Sequence, residues 1–348
     1  MEHLAVDGRL VEISIVKTCD EHPTVSIVIP THNRCDLLKQ TIASISAQSF
    51  DCWELIIVDD ASDDDTWSWL LQLKDPRIRN IHLKQHQERA RTRNVGLELA
   101  RGRFILFLDD DDLLPERSLE IHLKALERCD SALGSVGGHR LFGNSGSYRT
   151  VRNVRRKSVH NIWTEVLFGW VPVSGQCLFR TKMLRDVDGW RDTFVPCEDH
   201  DLLLRLGRLG PFVLVPEVVL LYRVHDHQYR SANQDQIMTT LRNRALADLT
   251  GKDRDIGNSI LRARAIANEG LQCQREAQNV RAFFLYLRVL QLEPALLRSP
   301  LVRNVVFRRI FSCLIGRRGT RAIRSVIGWF HQPRHKVRSF VPKTKNNS

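Results

Sequence analysis

The chain has 348 residues, 43% hydrophobic and 26% charged, and this composition excludes collagen-like and wholly disordered proteins. Its length exceeds the roughly 250 to 300 residues that one hydrophobic core usually serves, so we expect at least one domain boundary. The net charge of +12 comes from residues 239–348, which hold 22 Lys and Arg against 6 Asp and Glu. The slightly acidic remainder makes nucleic acid an unlikely main substrate.

Strand and helix patterns alternate over the first two thirds of the chain. Apolar β-branched runs predict strands, and apolar residues at helical spacing predict the helices between them. Strands are predicted at 25–29, 55–58, 78–83, 104–108, 132–141, 177–180 and 212–222. Helices are predicted at 36–48, 65–73, 90–100, 117–128 and 199–209. The alternation is typical of an α/β fold with a Rossmann-like, mostly parallel sheet flanked by helices.

Beyond about residue 229 the pattern becomes helical and basic, without further strand signals. We predict an N-terminal extension over residues 1–22, an α/β domain over 23–235, a basic helical extension over 236–335 and a disordered tail over 336–348. No apolar stretch approaches the roughly 18 residues of a spanning helix, and the first 20 residues do not resemble a signal peptide. Eight cysteines without a CxxC pair favour reduced thiols over disulfides or zinc. We therefore expect a cytoplasmic protein.

Acidic side chains follow the predicted strands, where open parallel sheets bind their ligands. Residues 59–65 contain five aspartates, and Asp109 to Asp112 are four consecutive aspartates directly after FILFL. Such a run repels itself unless a cation or a ligand compensates it. Alternate residues of an extended chain point the same way, so Asp109 and Asp111 can converge on one ion. Carboxylate oxygens without nearby His or Cys suit Mg²⁺ or Mn²⁺, and a solvated acidic loop is the alternative.

A third acidic group opens the predicted helix at 199–209. Helix capping and the helix dipole would explain one acid of the Glu198-Asp199 pair. A general base for an attacking hydroxyl group would explain the pair more fully. His225 follows another strand end and is a weaker ligand candidate, because a lone histidine is more often structural.

Taken together, these motifs resemble those of the inverting family 2 glycosyltransferases, which have the A-type glycosyltransferase fold. The resemblance covers residues 23–231. It rests on VSIVIPTHNR at 25–34, ELIIVDDASDDDT at 54–66, RARTRNVGLELARGRFILFLDDDDLLP at 89–115, and the Glu198-Asp199 pair followed by YRVH at 222–225.

The resemblance implies how this chain would bind a nucleotide-sugar donor. The acid that recognises the nucleotide base corresponds to Asp60, with Asp59 beside it. The DxD motif, which holds the ribose and a divalent ion, maps onto Asp109 and Asp111. The extra aspartates leave the register open, so Asp110 stays a candidate. Mn²⁺ or Mg²⁺ is the implied cofactor.

The resemblance also implies the remaining roles. Asp199 corresponds to the catalytic base, with Glu198 as its neighbour. Thr31 and Arg93 match positions close to the nucleotide and diphosphate, and His225 matches a histidine near the metal. A loop facing the acceptor corresponds to Ser174, Gly175 and Gln176.

The implied reaction is an inverting, in-line displacement at the anomeric carbon of a donor that we expect to be UDP-linked. The hydroxyl acceptor would be a lipid-linked or surface-glycan precursor. The chain lacks the QxxRW motif of processive synthases, since LRLGR stands at 204–208. Transfer of one sugar or a few is therefore expected.

The basic tail has two segments with amphipathic helical spacing. They contain Val302, Val305, Val306 and Ile310, and then Ile323, Val326, Ile327 and Phe330. Basic amphipathic helices are typical of peripheral membrane contact, here at the cytoplasmic face. A helical cap that packs on the α/β domain is the equal alternative.

Two other functions fit part of the sequence. An apolar strand followed by Asp109-Asp110-Asp111-Asp112 also matches the DxDx pattern of haloacid-dehalogenase-like phosphatases, in which the first aspartate is a nucleophile. A non-catalytic membrane or nucleic-acid binder would use the basic tail.

Overall fold

The computed structural model describes residues 2–6, 9–14, 23–143, 149–151, 156–225, 234–292, 296, 302–303 and 305–314. The strands in these residues are β1 (Glu2–Val6), β2 (Arg9–Ser14), β3 (Val25–Thr31), β4 (Trp53–Asp59), β5 (Ile78–His82), β6 (Phe104–Phe107), β7 (Gly134–Gly143), β8 (Arg149–Val151), β9 (Ser158–His160), β10 (Cys177–Arg180) and β11 (Phe212–Val224). The helices are α1 (Cys35–Ser46), α2 (Thr66–Leu70), α3 (Glu88–Leu99), α4 (Ser118–Leu126), α5 (Trp163–Phe168), α6 (Thr181–Asp186), α7 (Glu198–Leu209), α8 (Gln234–Ala247), α9 (Gly251–Arg275) and α10 (Asn279–Leu292).

The strands form one mixed sheet in the order β1-β2-β5-β4-β3-β6-β10-β7-β11-β9, and β8 pairs with β7. The neighbours β5, β4, β3 and β6 are parallel, so their carboxyl ends lie at one edge. β10 is antiparallel to both of its neighbours. The predicted α/β fold with flanking helices is confirmed, and antiparallel strands extend its parallel centre. An antiparallel hairpin, β1 and β2, lengthens the sheet beside β5 where the sequence indicated only an extension.

Strand β3 is two residues longer than predicted, because it continues through Pro30 to Thr31. The main-chain oxygen of Val28 faces β6 and accepts a hydrogen bond from Leu108. Pro30 lies two residues further and faces the same side, beyond the last residue paired with β6. Its missing N–H therefore costs no hydrogen bond of the sheet. The extra residues carry Thr31 to the edge where the acidic loops begin.

Apolar side chains cover both faces of the sheet, as buried parallel strands require. Helix α3 lies especially close to β3. A Cβ at Gly96 would stand 2.2 Å from Val28 Cγ1, so only glycine allows this approach. The close packing fixes the position of Arg93, which lies one turn earlier on the same helix.

The C-terminal helices share a continuous apolar core with the α/β domain. Helix α5 packs against both α7 and α9, and α10 packs along α9. Val302 and Val306 are 2% and 1% exposed, so one side of the first basic segment is a helical cap on the core. The second amphipathic segment, from Ile323 to Phe330, lies outside the described residues. Among the described helices, none has the length and apolar character needed to cross a bilayer.

Candidate active site

Asp59 is the last residue of β4 and Asp60 the first residue after it, and both are buried. Asp59 Oδ2 lies 2.8 Å from His82 Nδ1, and Asp59 Oδ1 accepts a hydrogen bond from the main-chain N of Ser62 at 3.2 Å. Asp60 Oδ1 accepts a 2.7 Å hydrogen bond from the main-chain N of Gln87, and its Oδ2 lies 2.9 Å from His86 Nδ1. Asp59 therefore connects the ends of β4 and β5, whereas Asp60 connects the end of β4 to the residue directly before α3.

Two histidine rings stand beside Asp60. His32 Nδ1 lies 2.8 Å from the main-chain oxygen of Asp60, and the His32 and His86 ring centroids are 4.7 Å apart with an interplanar angle of 45°. Aromatic rings beside a carboxylate suit a planar ligand that donates hydrogen bonds. This corner therefore has the chemistry that recognition of a nucleobase needs.

At this edge, three residues other than glycine have backbone angles in the left-handed region. These residues are Asn33 (φ 54°), Ala61 (φ 59°) and Glu88 (φ 68°). Such conformations persist where surrounding contacts enforce them, and they cluster at functional sites. Asn33 Oδ1 supplies one such contact, because it accepts a 2.9 Å hydrogen bond from the main-chain N of Asp63.

The aspartate run after β6 spreads its carboxylates in different directions. Asp110 accepts a 2.8 Å hydrogen bond from Thr31 and a 3.0 Å hydrogen bond from Arg34 Nη1. Asp111 Oδ2 lies 3.0 Å from the same Arg34 atom and 2.9 Å from His225 Nε2. Burial raises the pKa of Asp110 to about 6, against the opposing charge of Arg34. Arg34 therefore joins the ends of β3 and β6.

Asp112 forms a hydrogen bond with the main chain of β11 and supports the fold. It is 2% exposed, and its Oδ1 accepts a 2.8 Å hydrogen bond from the main-chain N of Arg223. Burial and the neighbouring aspartates raise the pKa of Asp112 well above its ordinary value. Tyr222 lies near the acids of two elements. Burial, with the charges of the aspartate run and of Asp199, raises its pKa to about 12.

Arg93 connects the aspartate run with helix α7. Its guanidinium is buried, and it donates to Asp109 Oδ1 at 2.7 Å and to Glu198 Oε1 at 3.1 Å. The guanidinium carbon lies 4.7 Å from the ring centroid of Trp190, and Arg89 Nε stands 3.6 Å from Glu198 Oε1. Burial acts to raise the pKa of Asp109, but Arg93 and Arg89 outweigh it and lower that pKa. One side chain thus holds acids from two distant parts of the sequence together.

Asp199 lies in the first turn of α7, beside the Arg93 contact. Its Oδ1 atom is buried without a hydrogen-bond partner in the described residues. Burial, with the charges of Glu198 and Asp109, raises the pKa of Asp199 to about 7, although Arg93 opposes this rise. A carboxylate with such a pKa accepts a proton effectively near neutral pH.

The predicted acceptor-side residues form a 3-10 turn, Ser174–Gln176, before β10. The Gln176 Nε2 atom donates to the main-chain oxygen of Gly137 at 2.7 Å, and its Oε1 accepts from the main-chain N of Val173 at 3.2 Å. A Cβ at Gly175 would stand 2.9 Å from Leu220 Cδ1. The turn is therefore buried, and its role toward an acceptor stays a prediction.

The predicted metal ligands are only partly brought together. Asp111 and His225 are in contact, whereas Asp109 is turned toward Arg93. No cluster of three metal-binding side chains occurs in the part of the chain that the structure describes. Mg²⁺ and Mn²⁺ are commonly held by one or two protein ligands together with substrate phosphates. The Asp111 carboxylate and the His225 imidazole fit such a divalent ion, and Arg34 lies against the same carboxylate.

Several side chains of this site were not among the predicted site residues. Arg34, His32 and His86 bind acids that stand 26 to 77 positions away in the sequence. Arg34 and His32 lie in the quoted VSIVIPTHNR segment, directly after a strand that ends at the ligand edge. Their position after this strand is the sequence feature that would have predicted them as site residues.

The family model of glycosyl transferase family 2 matches residues 26–187, which contain β3 to α6 and all the acids of the first two clusters. Over this match, which is 162 of the 348 residues, the chain is similar to the family 2 glycosyltransferases. Its fold is the A-type glycosyltransferase fold, as predicted. The similarity favours a glycosyltransferase over the phosphatase alternative, in which Asp109 would be a nucleophile.

Two curated relatives match about a third of the chain. One is TuaG of Bacillus subtilis, whose name reads "putative teichuronic acid biosynthesis glycosyltransferase". It is 37% identical over 127 residues, which are 36% of this chain and 50% of TuaG. WfaP of Escherichia coli, a UDP-Glc:α-D-GlcNAc-diphosphoundecaprenol β-1,3-glucosyltransferase, is 39% identical over 106 residues, which are 30% of this chain and 42% of WfaP. The matches therefore span half or less of these relatives.

Solved structures match a larger share of this chain. A crystal structure of S. aureus TarS in complex with UDP-GlcNAc has a TM-score of 0.60 and 18% identity, over 87% of this chain and 92% of that one. The mannosyltransferase PcManGT from Pyrobaculum calidifontis, in complex with GDP-Man and Mn²⁺, has a TM-score of 0.53 and 18% identity, over 92% and 91%. At this identity the likeness concerns the fold.

Proposed function

We propose that the protein transfers a sugar, with inversion, from a nucleotide-sugar donor to a hydroxyl group. A UDP-linked donor is favoured by the names of two matches: WfaP is described as using UDP-Glc, and the TarS structure contains UDP-GlcNAc. The acceptor would be a lipid-linked precursor of a surface glycan, since WfaP is described as acting on a diphosphoundecaprenol-linked sugar.

One observation carries the proposal. Buried Arg93 binds Asp109 of the aspartate run and Glu198 of α7, and it thereby sets Asp199 beside the run. The donor's diphosphate and the acceptor hydroxyl must meet at the anomeric carbon, so acids for both have to lie in one site. A pairing across 105 positions of sequence meets this requirement.

On the acceptor side, Asp199 would remove the proton from the attacking hydroxyl. Its pKa of about 7 means that a large fraction is ionised near neutral pH and that the carboxylate is still basic enough to accept the proton. Such assistance is typically worth about 10² to 10⁴ in rate. Glu198, held by Arg93 and Arg89, would keep the first turn of α7 in place.

On the donor side, Asp60 and the two histidine rings would bind the base, and Thr31 would stand near the nucleotide. Asp59 would hold the loop in position through His82. Asp110 and Asp109 would orient the ribose side of the nucleotide. Arg34 lies between the acids and is placed to move toward the diphosphate when a divalent ion takes up the Asp111 carboxylate.

Asp111 and His225 would hold a Mn²⁺ or Mg²⁺ ion together with the diphosphate. The ion would supply positive charge to the departing nucleoside diphosphate. The PcManGT structure contains Mn²⁺, which supports the choice of ion for this fold.

A location at the cytoplasmic face of a membrane would suit a lipid-linked acceptor. The described C-terminal helical residues 305–314 expose Phe307, Phe311 and Leu314, at spacings of four and three. Arg308 and Arg309 lie on the same helix. Such a surface supports peripheral membrane contact, while Val306, on another side of the helix, packs in the core.

The direct test is a panel of nucleotide sugars, measured for thermal stabilisation and for turnover with and without Mn²⁺. We expect at least one UDP-sugar to stabilise the protein in a metal-dependent way and to be consumed when an acceptor is supplied. Absence of any nucleotide binding would contradict the proposal and would leave a non-catalytic binder as the alternative.

A further inference from the structure

Arginines of the C-terminal helices reach the back of helix α7. Arg242 of α8 is 5% exposed, and Arg264 of α9 is partly buried. His200, the residue after Asp199, is 2% exposed and lies near both of them. Burial, with the positive charges of Arg242 and Arg264, lowers the pKa of His200 to about 3, so its ring is neutral at physiological pH. These three residues are called the α7 basic cluster below.

The charge of Arg242 is poorly compensated. Its Nη1 atom donates a 3.4 Å hydrogen bond to the main-chain oxygen of Met238, whereas its Nε and Nη2 atoms are buried without hydrogen-bond partners in the described residues. Burial and the charge of Arg264 lower the pKa of Arg242 to about 10. Among the described carboxylates, the one whose charge acts on Arg242 is Asp235, which is exposed. A buried cation of this kind opposes folding unless an anion compensates it.

Neighbouring residues make room for the second arginine. Arg264 Nη1 donates to the main-chain oxygen of Phe168 at the end of α5. A Cβ at the next residue, Gly169, would stand 1.9 Å from Arg264 Nη1. The φ of Gly169 is +121°, which other residues rarely adopt. The backbone at 169 therefore accommodates a guanidinium at the end of α5, the helix that packs against α7.

The cluster lies next to the proposed base and apart from the proposed donor contacts. The charge of Arg242 acts on Cys197, the residue that precedes Glu198 at the start of α7. The donor acids are instead neutralised by Arg34 and Arg93. Two guanidiniums and an imidazole together favour a ligand with several anionic oxygens, such as a phosphate group.

We propose that the α7 basic cluster, formed by His200, Arg242 and Arg264, is a second anion subsite that binds a phosphate group of the acceptor. The inference rests on the proposed function and refines it: the acceptor is a glycosyl phosphate or diphosphate, whose anionic group anchors behind Asp199 while its hydroxyl faces the donor. Free inorganic phosphate is the other source of the same chemistry.

The first experiment separates this subsite from the donor site. Protein saturated with UDP and Mg²⁺ is titrated with inorganic phosphate while thermal unfolding is recorded. The wild type should gain thermal stability with phosphate. Arg242→Met should start at an equal or higher Tm, because it removes a buried unpaired charge, and should lose the response to phosphate. Arg254→Met, at an exposed arginine of α9, is the control and should respond like the wild type.

The second experiment identifies the source of the phosphate. Phosphatidylcholine vesicles with or without a prenyl diphosphate are sedimented with the UDP-saturated protein. The wild type should bind the diphosphate vesicles, and pyrophosphate should release it from them. Arg242→Met and Arg264→Met should bind the same vesicles about tenfold more weakly. The variants should still bind UDP, which shows that they are folded.

The outcomes are distinguishable. No phosphate response in the wild type, or an unchanged response in both arginine variants, would overturn the subsite while UDP binding leaves the proposed function intact. Protection by inorganic phosphate without binding to diphosphate vesicles would overturn the acceptor assignment. Failure to bind any nucleotide would instead contradict the proposed function.

Discussion

The two halves of the site differ in how their charges are balanced. At the carboxyl ends of β3, β4 and β6, the acids meet a cation or a hydrogen-bond donor: Arg34 binds Asp110 and Asp111, and Arg93 binds Asp109. At the start of α7 and behind it, Asp199 Oδ1, Glu198 Oε2 and two Arg242 nitrogens are buried without hydrogen-bond partners among the described residues. The proposed donor half is thus held by its own ion pairs, whereas the proposed acceptor half contains unpaired polar atoms that lower the stability of the fold.

The largest effect is expected from a substitution in the proposed acceptor half of the site, at the start of α7. Asp199→Asn removes the proposed base but keeps its shape, so transfer should fall by about 10² to 10⁴ while UDP-sugar binding stays near the wild-type level. Initial rates and calorimetric binding measure the two quantities. Asp186→Asn, at an exposed aspartate paired with Lys182, is the control. Loss of donor binding together with the rate would show that Asp199 supports the fold instead.

The next largest effect is expected from a substitution in the proposed donor half of the site, in the aspartate run. Asp111→Ala should weaken metal-dependent UDP binding by at least about tenfold, because the ion loses a carboxylate ligand. Titration of UDP at fixed Mn²⁺ measures the effect, and Asp36→Ala at an exposed position of α1 is the control. Unchanged metal dependence would move the ion to another aspartate of the run.

A smaller effect is expected on Mn²⁺ binding when the ion pair between Arg34 and Asp111 is removed. Arg34 lies on the Asp111 carboxylate, so it should compete with a divalent ion for that group. Arg34→Gln should therefore tighten Mn²⁺ binding by about two- to fivefold, the range of a partly exposed ion pair. Electron paramagnetic resonance of free Mn²⁺ reports binding without turnover. Weaker binding in the variant would mean that Arg34 organises the site for the ion.

The smallest effect concerns pH. Asp199 must be ionised to accept a proton, so transfer should decline as pH falls through its pKa of about 7. The charge of Arg89 lowers that pKa, so Arg89→Gln should move the acid limb of the pH–rate profile to higher pH by a fraction of a unit. Arg91→Gln lies on the same helix, pairs with Asp192 and should leave the limb in place. A shift to lower pH would contradict the assignment of Asp199.

Much of the donor half follows from the sequence, because its acids stand directly after apolar strands and the sheet brings strand ends together. The strand positions, the aspartate run and the start of α7 need only local patterns. The partners of these acids do not follow in this way. The Arg93–Glu198 and Arg34–Asp111 pairs join residues 105 and 77 positions apart, and no local pattern encodes such pairs.

The acceptor half was less predictable for a second reason. Arg242 and Arg264 lie in helices whose many arginines look alike in the sequence, and burial separates them from exposed Arg254 only after α8 packs on α7 and α9 packs on α5. The hairpin of β1 and β2 does have a local signal, since Asp7-Gly8 between two apolar runs is typical of a two-residue hairpin turn, but its position in the sheet depends on the edge of β5. Tertiary packing decides where these elements lie.

The central claim is that the aspartate run and the start of α7 belong to one site, and paramagnetic relaxation tests it most directly. Amide spectra of deuterated protein are compared with UDP and either Mn²⁺ or diamagnetic Mg²⁺. We predict that the signals of Asp110, Asp111, Glu198 and Asp199 are broadened by Mn²⁺ and that Asp111→Ala removes the effect at both places. Broadening confined to the aspartate run, with Glu198 and Asp199 unchanged, would contradict the account.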